Sequence, residues 1–267
     1  DDKLKISKYV NNIGIWYWRD YDYSKAINYY NESLIIKEEL GDTRNYGKTL
    51  NNIGQVYYDM GDFVNSIDYF NKSIELKEKL KDKKGLQATL LNLGEAYFDN
   101  NDYDNALSRF RKSLKIARDF DVIYDISDRY TAIGMTHFNL ANYDSATYYL
   151  SIANSNYMEY PINRLTILSW LAITSIKDGN TRGARAYVKE YEEIISNEDP
   201  MKVDIIRLNW NIYRVHKSLG NTKTARGYLE ESYFELKSRS KNIKDKKDRN
   251  KYLSGKLNQD IIAAWDS

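Results

Sequence analysis

Four glycines, Gly14, Gly54, Gly94 and Gly134, stand at a constant step of 40 residues. Each closes a similar tetrad: Asn11-Asn12-Ile13-Gly14, Asn51-Asn52-Ile53-Gly54, Leu91-Asn92-Leu93-Gly94 and Thr131-Ala132-Ile133-Gly134. Chance does not hold such a register over 120 residues, so the chain is a repeat array before it is anything else. The pattern continues in phase. A ring residue follows each glycine by three (Tyr17, Tyr57, Tyr97, His137), and then comes a polar turn. A small residue follows the turn (Ala26, Ser66, Ala106, Ala146), then a large apolar one four later (Tyr30, Phe70, Phe110, Leu150), then a small one three later (Ser33, Ser73, Ser113, Ala153). Steps of three and four are helical, so each unit reads as helix, turn, helix. Such a hairpin has two apolar faces and buries the second only by stacking on the next hairpin. Turn chemistry agrees: Asp62 and Asp102 can cap second helices, and Gly61 can adopt the left-handed conformation that ends a first helix.

Two further units diverge. One runs through Trp170 to Gly179 and then Ala184, Val188 and Tyr191; the other through Trp210 and Tyr213 to Gly220 and then Ala225 and Leu229. Pro161 and Pro200 precede their first helices, where an early helical N–H has no partner to lose. The phase slips here, which predicts a change of superhelical twist.

The Leu-Gly-x-x-Tyr of the first helix, with Ala and Phe in the second, resembles the tetratricopeptide repeat. The 40-residue step exceeds the family's usual 34 and is similar to the long-repeat branch seen in kinesin light chains and bacterial signalling proteins. The extra residues are expected to lengthen the helices and the inter-repeat turn at Leu40-Gly41-Asp42. The resemblance implies an all-α, right-handed superhelical solenoid of about six antiparallel helix pairs with a C-terminal capping helix. The expected solenoid covers residues 1–242, with units near 3–42, 43–82, 83–122, 123–160, 161–199 and 200–242, and a helical cap over 243–267. The sixth unit and tail resemble the carboxyl end of large bacterial regulators, in which such repeats follow an ATPase, kinase or cyclase module.

Composition narrows the function classes. Lys+Arg is 40 against Asp+Glu 38, which leaves no basic footprint for nucleic acid. The absence of cysteine excludes disulfides and thiolate metal sites. No apolar run reaches the ~18 residues of a membrane span, so no direct membrane insertion is expected. The N-terminus carries no initiator methionine and no signal-peptide character, and reads as a trimmed or mature fragment; the expected compartment is the cytoplasm, with the periplasm the alternative if a signal or anchor was removed. No phosphate-binding glycine loop is present. His137 and His216 occupy the slot that earlier units give to tyrosine and read as packing residues, not ligands or bases. Runs such as Lys37-Glu38-Glu39 and Lys77-Glu78-Lys79 read as solvated helix faces. The chain is therefore expected to be neither an enzyme nor a cofactor carrier.

The resemblance also implies that first helices line the concave groove. The candidate peptide-binding residues there are Asn12, Asn52, Asn92, Gln55, Glu95, Trp18, Tyr58, Phe98 and Phe138. Asn12, Asn52 and Asn92 form a ladder whose carboxamides can pair with an extended backbone; the alternative is a hydrogen bond to a neighbouring helix. Trp18, Tyr58, Phe98 and Phe138 form an aromatic row, either a floor for side-chain anchors or packing against the adjacent unit. The family's carboxylate clamp is not expected, because the third unit carries Ala88 and Asn92 where basic residues belong, with Glu95 and Asp99 nearby. A neutral or basic segment suits the middle of the groove better. The expected function is a module that binds a peptide or partner domain in bacterial signalling or regulation. The alternatives are the sensory region of a larger enzyme and a self-associating adaptor, a homodimer.

Overall fold

The computed structural model describes residues 2–120, 123–157, 161–197 and 204–267. Among them twelve helices form six successive pairs: α1 (Asp2–Arg19) and α2 (Tyr23–Glu39), α3 (Thr43–Asp59) and α4 (Phe63–Lys79), α5 (Lys83–Asp99) and α6 (Tyr103–Ala117), α7 (Ile123–Asn139) and α8 (Tyr143–Asn156), α9 (Pro161–Lys177) and α10 (Thr181–Asn197), α11 (Ile205–Ser218) and α12 (Thr222–Asn242). Helices α13 (Lys246–Leu253) and α14 (Lys256–Asp266) follow. The chain divides into two compact units, Asp1–Ile116 with Ser238–Lys256, and Ala117–Lys237 with Leu257–Ser267. Pro161 is the first residue of α9, as its missing N–H allows; Pro200 lies outside the described residues.

The joints repeat every 20 residues, not every 40. Asp22, Asp42, Asp62, Asp82 and Asp102 each accept a hydrogen bond from the backbone N–H three residues on, at 3.0–3.3 Å. The residue before each of these aspartates has positive φ: Tyr21, Gly41, Gly61, Lys81 and Asn101. This left-handed residue lets the next N–H turn back to a carbonyl of the last helical turn, as Asp42 N does to Lys37 O at 2.9 Å. The inter-repeat turn at Gly41 thus has the same form as the intra-repeat turn at Gly61. The surplus over 34 residues lies in the helices here, which run to 17 residues in α2 through α5, and the expected lengthening of the turn at Leu40-Gly41-Asp42 does not occur.

Within a pair, glycine admits a ring. A Cβ on Gly14 would meet Tyr30 at 2.8 Å, and one on Gly54 would meet Phe70 at 2.7 Å. Three residues on, a serine hydroxyl donates across to the first helix: Ser33 to Ser7 O, Ser73 to Gly47 O, Ser113 to Gln87 O, at 2.6–2.8 Å. Ser232 does the same to Ile206 O at 3.0 Å in the divergent last pair. A ring stack closes the wedge at a fixed offset of twelve: Tyr17 on Tyr29, Tyr57 on Tyr69, His137 on Tyr149, His216 on Tyr228, with centroids 5.2–5.6 Å apart. Both histidines therefore stand in for tyrosine in packing, as the sequence suggests.

The tail is divided between the two units. Residues 238–256 belong to the first unit, where Ile243 joins Tyr23, Met60 and Leu50 in the core and Tyr252 packs beside them. Lys251 pairs with Asp62. Residues 257–267 belong to the second unit, where Trp265 stacks on Tyr233 at 4.7 Å beneath the Arg226 guanidinium.

Candidate functional site

Helices α1 and α3 carry the same polar pattern one repeat apart: Lys8, Asn11, Asn12 and Lys48, Asn51, Asn52. Together with Asn45, Thr49, Lys37 and Lys77 they line a cavity of about 300 Å³ in the first unit. No carboxylate lines it. Lys37 and Lys77 come from the second helices α2 and α4 and are 3% and 5% exposed, so the charged runs that contain them are not solvated faces at these positions. They follow the buried Ser33 and Ser73 by four residues, which places them on the inward side of the helix. That i, i+4 step from a small buried residue is the signal in the sequence that marks them.

Each lysine is held by a threonine that in turn bonds an asparagine. Lys37 Nζ donates to Thr49 Oγ1 at 2.5 Å and reaches Asn11 Oδ1 at 3.4 Å. The Thr49 hydroxyl lies 3.0 Å from Asn11 Oδ1. Lys77 donates to Thr89 Oγ1, which is 2.9 Å from Asn51 Oδ1. All these acceptors are neutral, and burial pushes both ammonium groups down, to a pKa of about 8. Asp42 and Asp82 oppose the shift at Lys37 and Lys77 respectively, while Lys48 adds to it at both. The arrangement ends there, because Leu91 and Ala117 replace the asparagine and lysine in the third unit.

The tetratricopeptide repeat family model matches residues 5–79 and 45–119. The apo form of RapI superposes with a TM-score of 0.77 at 16% identity, covering 97% of this chain and 98% of that one. Aspartyl phosphate phosphatase F from Bacillus subtilis gives 0.74 at 15% identity over 100% and 72%. The Rap conjugation gene regulator of the plasmid pLS20, in complex with the Phr* peptide, gives 0.63 at 17% over 98% and 76%. The chain is a tetratricopeptide-like repeat protein. No curated protein matches it in sequence.

In this tetratricopeptide-like chain the nominated residues fall into two groups. Asn12 is exposed and Asn52 half-buried; both line the cavity, and neither side chain makes a hydrogen bond among the described residues. Asn92 is tied to structure, its amide reaching Asn51 Oδ1 at 3.4 Å. The ladder that bonds to neighbouring helices is thus Asn11 and Asn51, one residue earlier, and it leaves Asn12 and Asn52 open. Gln55 donates within its own helix to Asp59 at 2.9 Å, and Glu95 is half-buried in α5.

The aromatic row is largely packing. Trp18 Nε1 donates to Asp59 Oδ2 at 2.7 Å and Tyr58 Oη to Asp99 Oδ2 at 2.5 Å, each reaching into the following repeat. Phe98 and Phe138 are each 7% exposed. Their rings lie against Tyr103 and against Tyr143 and Trp170. Rings held this way offer little floor to a partner. Asp99 is likewise engaged by Tyr58. Among the described residues no helix is long and apolar enough to cross a membrane.

Proposed function

We propose that the chain is a protein-interaction module that holds an extended peptide or partner segment on the first-helix face of its first unit, with Asn12 and Asn52 meeting the segment's backbone. One observation carries the reading: these two carboxamides line a cavity at the same position of consecutive repeats and make no hydrogen bond of their own. Each offers two donors and an acceptor, which pairs with a peptide group whatever its side chain. The peptide complex of the plasmid Rap regulator, a protein of similar fold, lends support, and signalling regulation is the corresponding role. The test is capture of binding partners by the wild-type chain and by an Asn12→Ala, Asn52→Ala double variant, after circular dichroism shows equal helicity. A partner held by the first and lost by the second supports the reading. Partners held equally by both refute it.

A second reading, self-association, is favoured by one face of α1. Ile6, Tyr9, Ile13 and Trp16 are exposed, whereas the residues 40 later, Tyr46, Thr49, Ile53 and Val56, are half-buried or buried in α3. In α3 this face is the one that stacks on the preceding repeat. Sedimentation of the wild type and of Tyr9→Ser, Trp16→Ser across a range of concentrations decides it: association by the wild type alone supports a homodimer.

A further inference from the structure

The cavity between α1 and α3 has a charge that backbone recognition by Asn12 and Asn52 does not use. Lys8, Lys37, Lys48 and Lys77 bring four ammonium groups to its lining, and the lining holds no carboxylate. The opposing charges that act on the two buried lysines are Asp42 at Lys37 and Asp82 at Lys77, from the helix caps they also serve. Four positive groups against two negative ones leave a surplus that a single dianion neutralises. Two of the lysines are buried and held in place by Thr49, Asn11, Thr89 and Asn51, so their positions are set before any ligand arrives. A buried ammonium whose only partners are neutral oxygens is costly, and an anion beside it removes that cost.

We propose that this cavity is a phosphate-recognition site, taking a dianionic phosphoryl group that is either free or carried on a side chain of the bound partner; in the second case the inference rests on the partner-binding reading above. Lysines suit phosphate as point charges around a tetrahedral group. Lys8 and Lys48 are exposed, so they meet the ligand from the solvent side. Lys37 and Lys77 supply charge from beneath. A lone carboxylate would leave half of the surplus unmatched.

Proton linkage follows from the same geometry. Lys37 faces Asp42 and Lys48, and Lys77 faces Asp82 and Lys48. Burial holds both lysines near a pKa of about 8 in the empty site, and a bound dianion raises it. As far as the lysines are concerned, affinity is therefore full about a unit below pH 8 and falls as the pH rises through it. A phosphoryl group becomes dianionic above about pH 6, so binding is strongest near pH ~7.

The test is calorimetric titration with inorganic phosphate and with acetate at constant ionic strength, read in parallel by the ³¹P resonance of the phosphate. The expected result is phosphate binding at least tenfold tighter than acetate, reduced at least tenfold in Lys48→Ala and in Lys77→Met. Lys48 is exposed, so its variant keeps the fold even if the Lys77 variant does not. A serine peptide and its phosphorylated form make the second arm: tighter binding of the phosphopeptide than of inorganic phosphate assigns the group to a partner, and the reverse assigns it to a free ligand. Equal response to phosphate and acetate, or unchanged phosphate affinity in Lys48→Ala, overturns the proposal. Partner capture through Asn12 and Asn52 is read separately, so either idea can fail without the other.

Discussion

The ring of Tyr30 fills the space that a side chain on Gly14 would occupy, and its hydroxyl, fully buried, has no hydrogen-bond partner among the described residues. The next two repeats place Phe70 and Phe110 over Gly54 and Gly94 and carry no such oxygen. An unpaired buried hydroxyl costs roughly 1–3 kcal/mol. Tyr30→Phe is expected to stabilise the chain by about 1 kcal/mol in urea denaturation. Gly54→Ala is expected to destabilise by about 2 kcal/mol, because the Phe70 ring has no room to withdraw.

Lys81 occupies with a φ of 53° the turn position that Gly41 and Gly61 fill elsewhere. A side chain in this left-handed region costs about 1–2 kcal/mol, and glycine's greater freedom in the unfolded chain returns part of that. Lys81→Gly should raise stability by about 0.5 kcal/mol. Gly41→Ala should lower it by about 1 kcal/mol, and because a Cβ there meets nothing within 4 Å, that loss reports backbone conformation alone.

Asp59 receives the Trp18 indole N–H at 2.7 Å. Burial raises its pKa to about 6, against the opposing hydrogen bonds of Gln55 and Trp18 and the charge of Arg239. Between about pH 4 and 6 the folded chain keeps a proton that the unfolded chain has released, so stability falls as pH rises through that window, by on the order of 2 kcal/mol. Trp18 fluorescence, isolated by difference from Trp18→Phe, should titrate with a midpoint near 6. Asp59→Asn should remove both the titration and the slope. A Trp18 signal flat from pH 4 to 8 would contradict the assignment.

Asp62 and Asp102 cap equivalent helices, yet only Asp62 also pairs with Lys251. Burial alone would raise the Asp62 pKa; the hydrogen bonds from Lys251 and Asn65 outweigh it and hold the carboxyl below the usual range. Loss of a cap costs about 1 kcal/mol. Asp62→Ala should cost about 1 kcal/mol more than Asp102→Ala at pH 7, and the excess should vanish when Lys251→Ala is already present. Because the folded-state pKa is depressed, the excess is present above about pH 4 and is lost as the pH falls through the folded value.

Much of this was legible in the residues. Caps at Asp62 and Asp102, the left-handed Gly61, the glycine–ring pairs and the tyrosine slots of His137 and His216 all follow from contacts at short, fixed spacing within one hairpin. The cavity was legible in part. Asn12 and Asn52 stood out by register. Lys37 and Lys77 were hidden inside charged runs, because a lysine reads as solvated unless its helical phase is weighed above its charge. The aromatic row was ambiguous for a different reason: the bonds from Trp18 to Asp59 and from Tyr58 to Asp99 join residues 41 apart, and no local pattern states which way a ring turns.

The sequence by itself determined the repeat, its register, the helix pairs and their joints, since each depends on interactions that recur within 20 or 40 residues. The tertiary structure alone decided where the tail goes and what it covers. Lys251 meets Asp62 across 189 residues of chain, and Ile243 enters a core built from Tyr23 and Met60. Contacts at such separation leave no periodic trace, because they are selected by the shape and charge of a surface that exists only after the repeats have stacked.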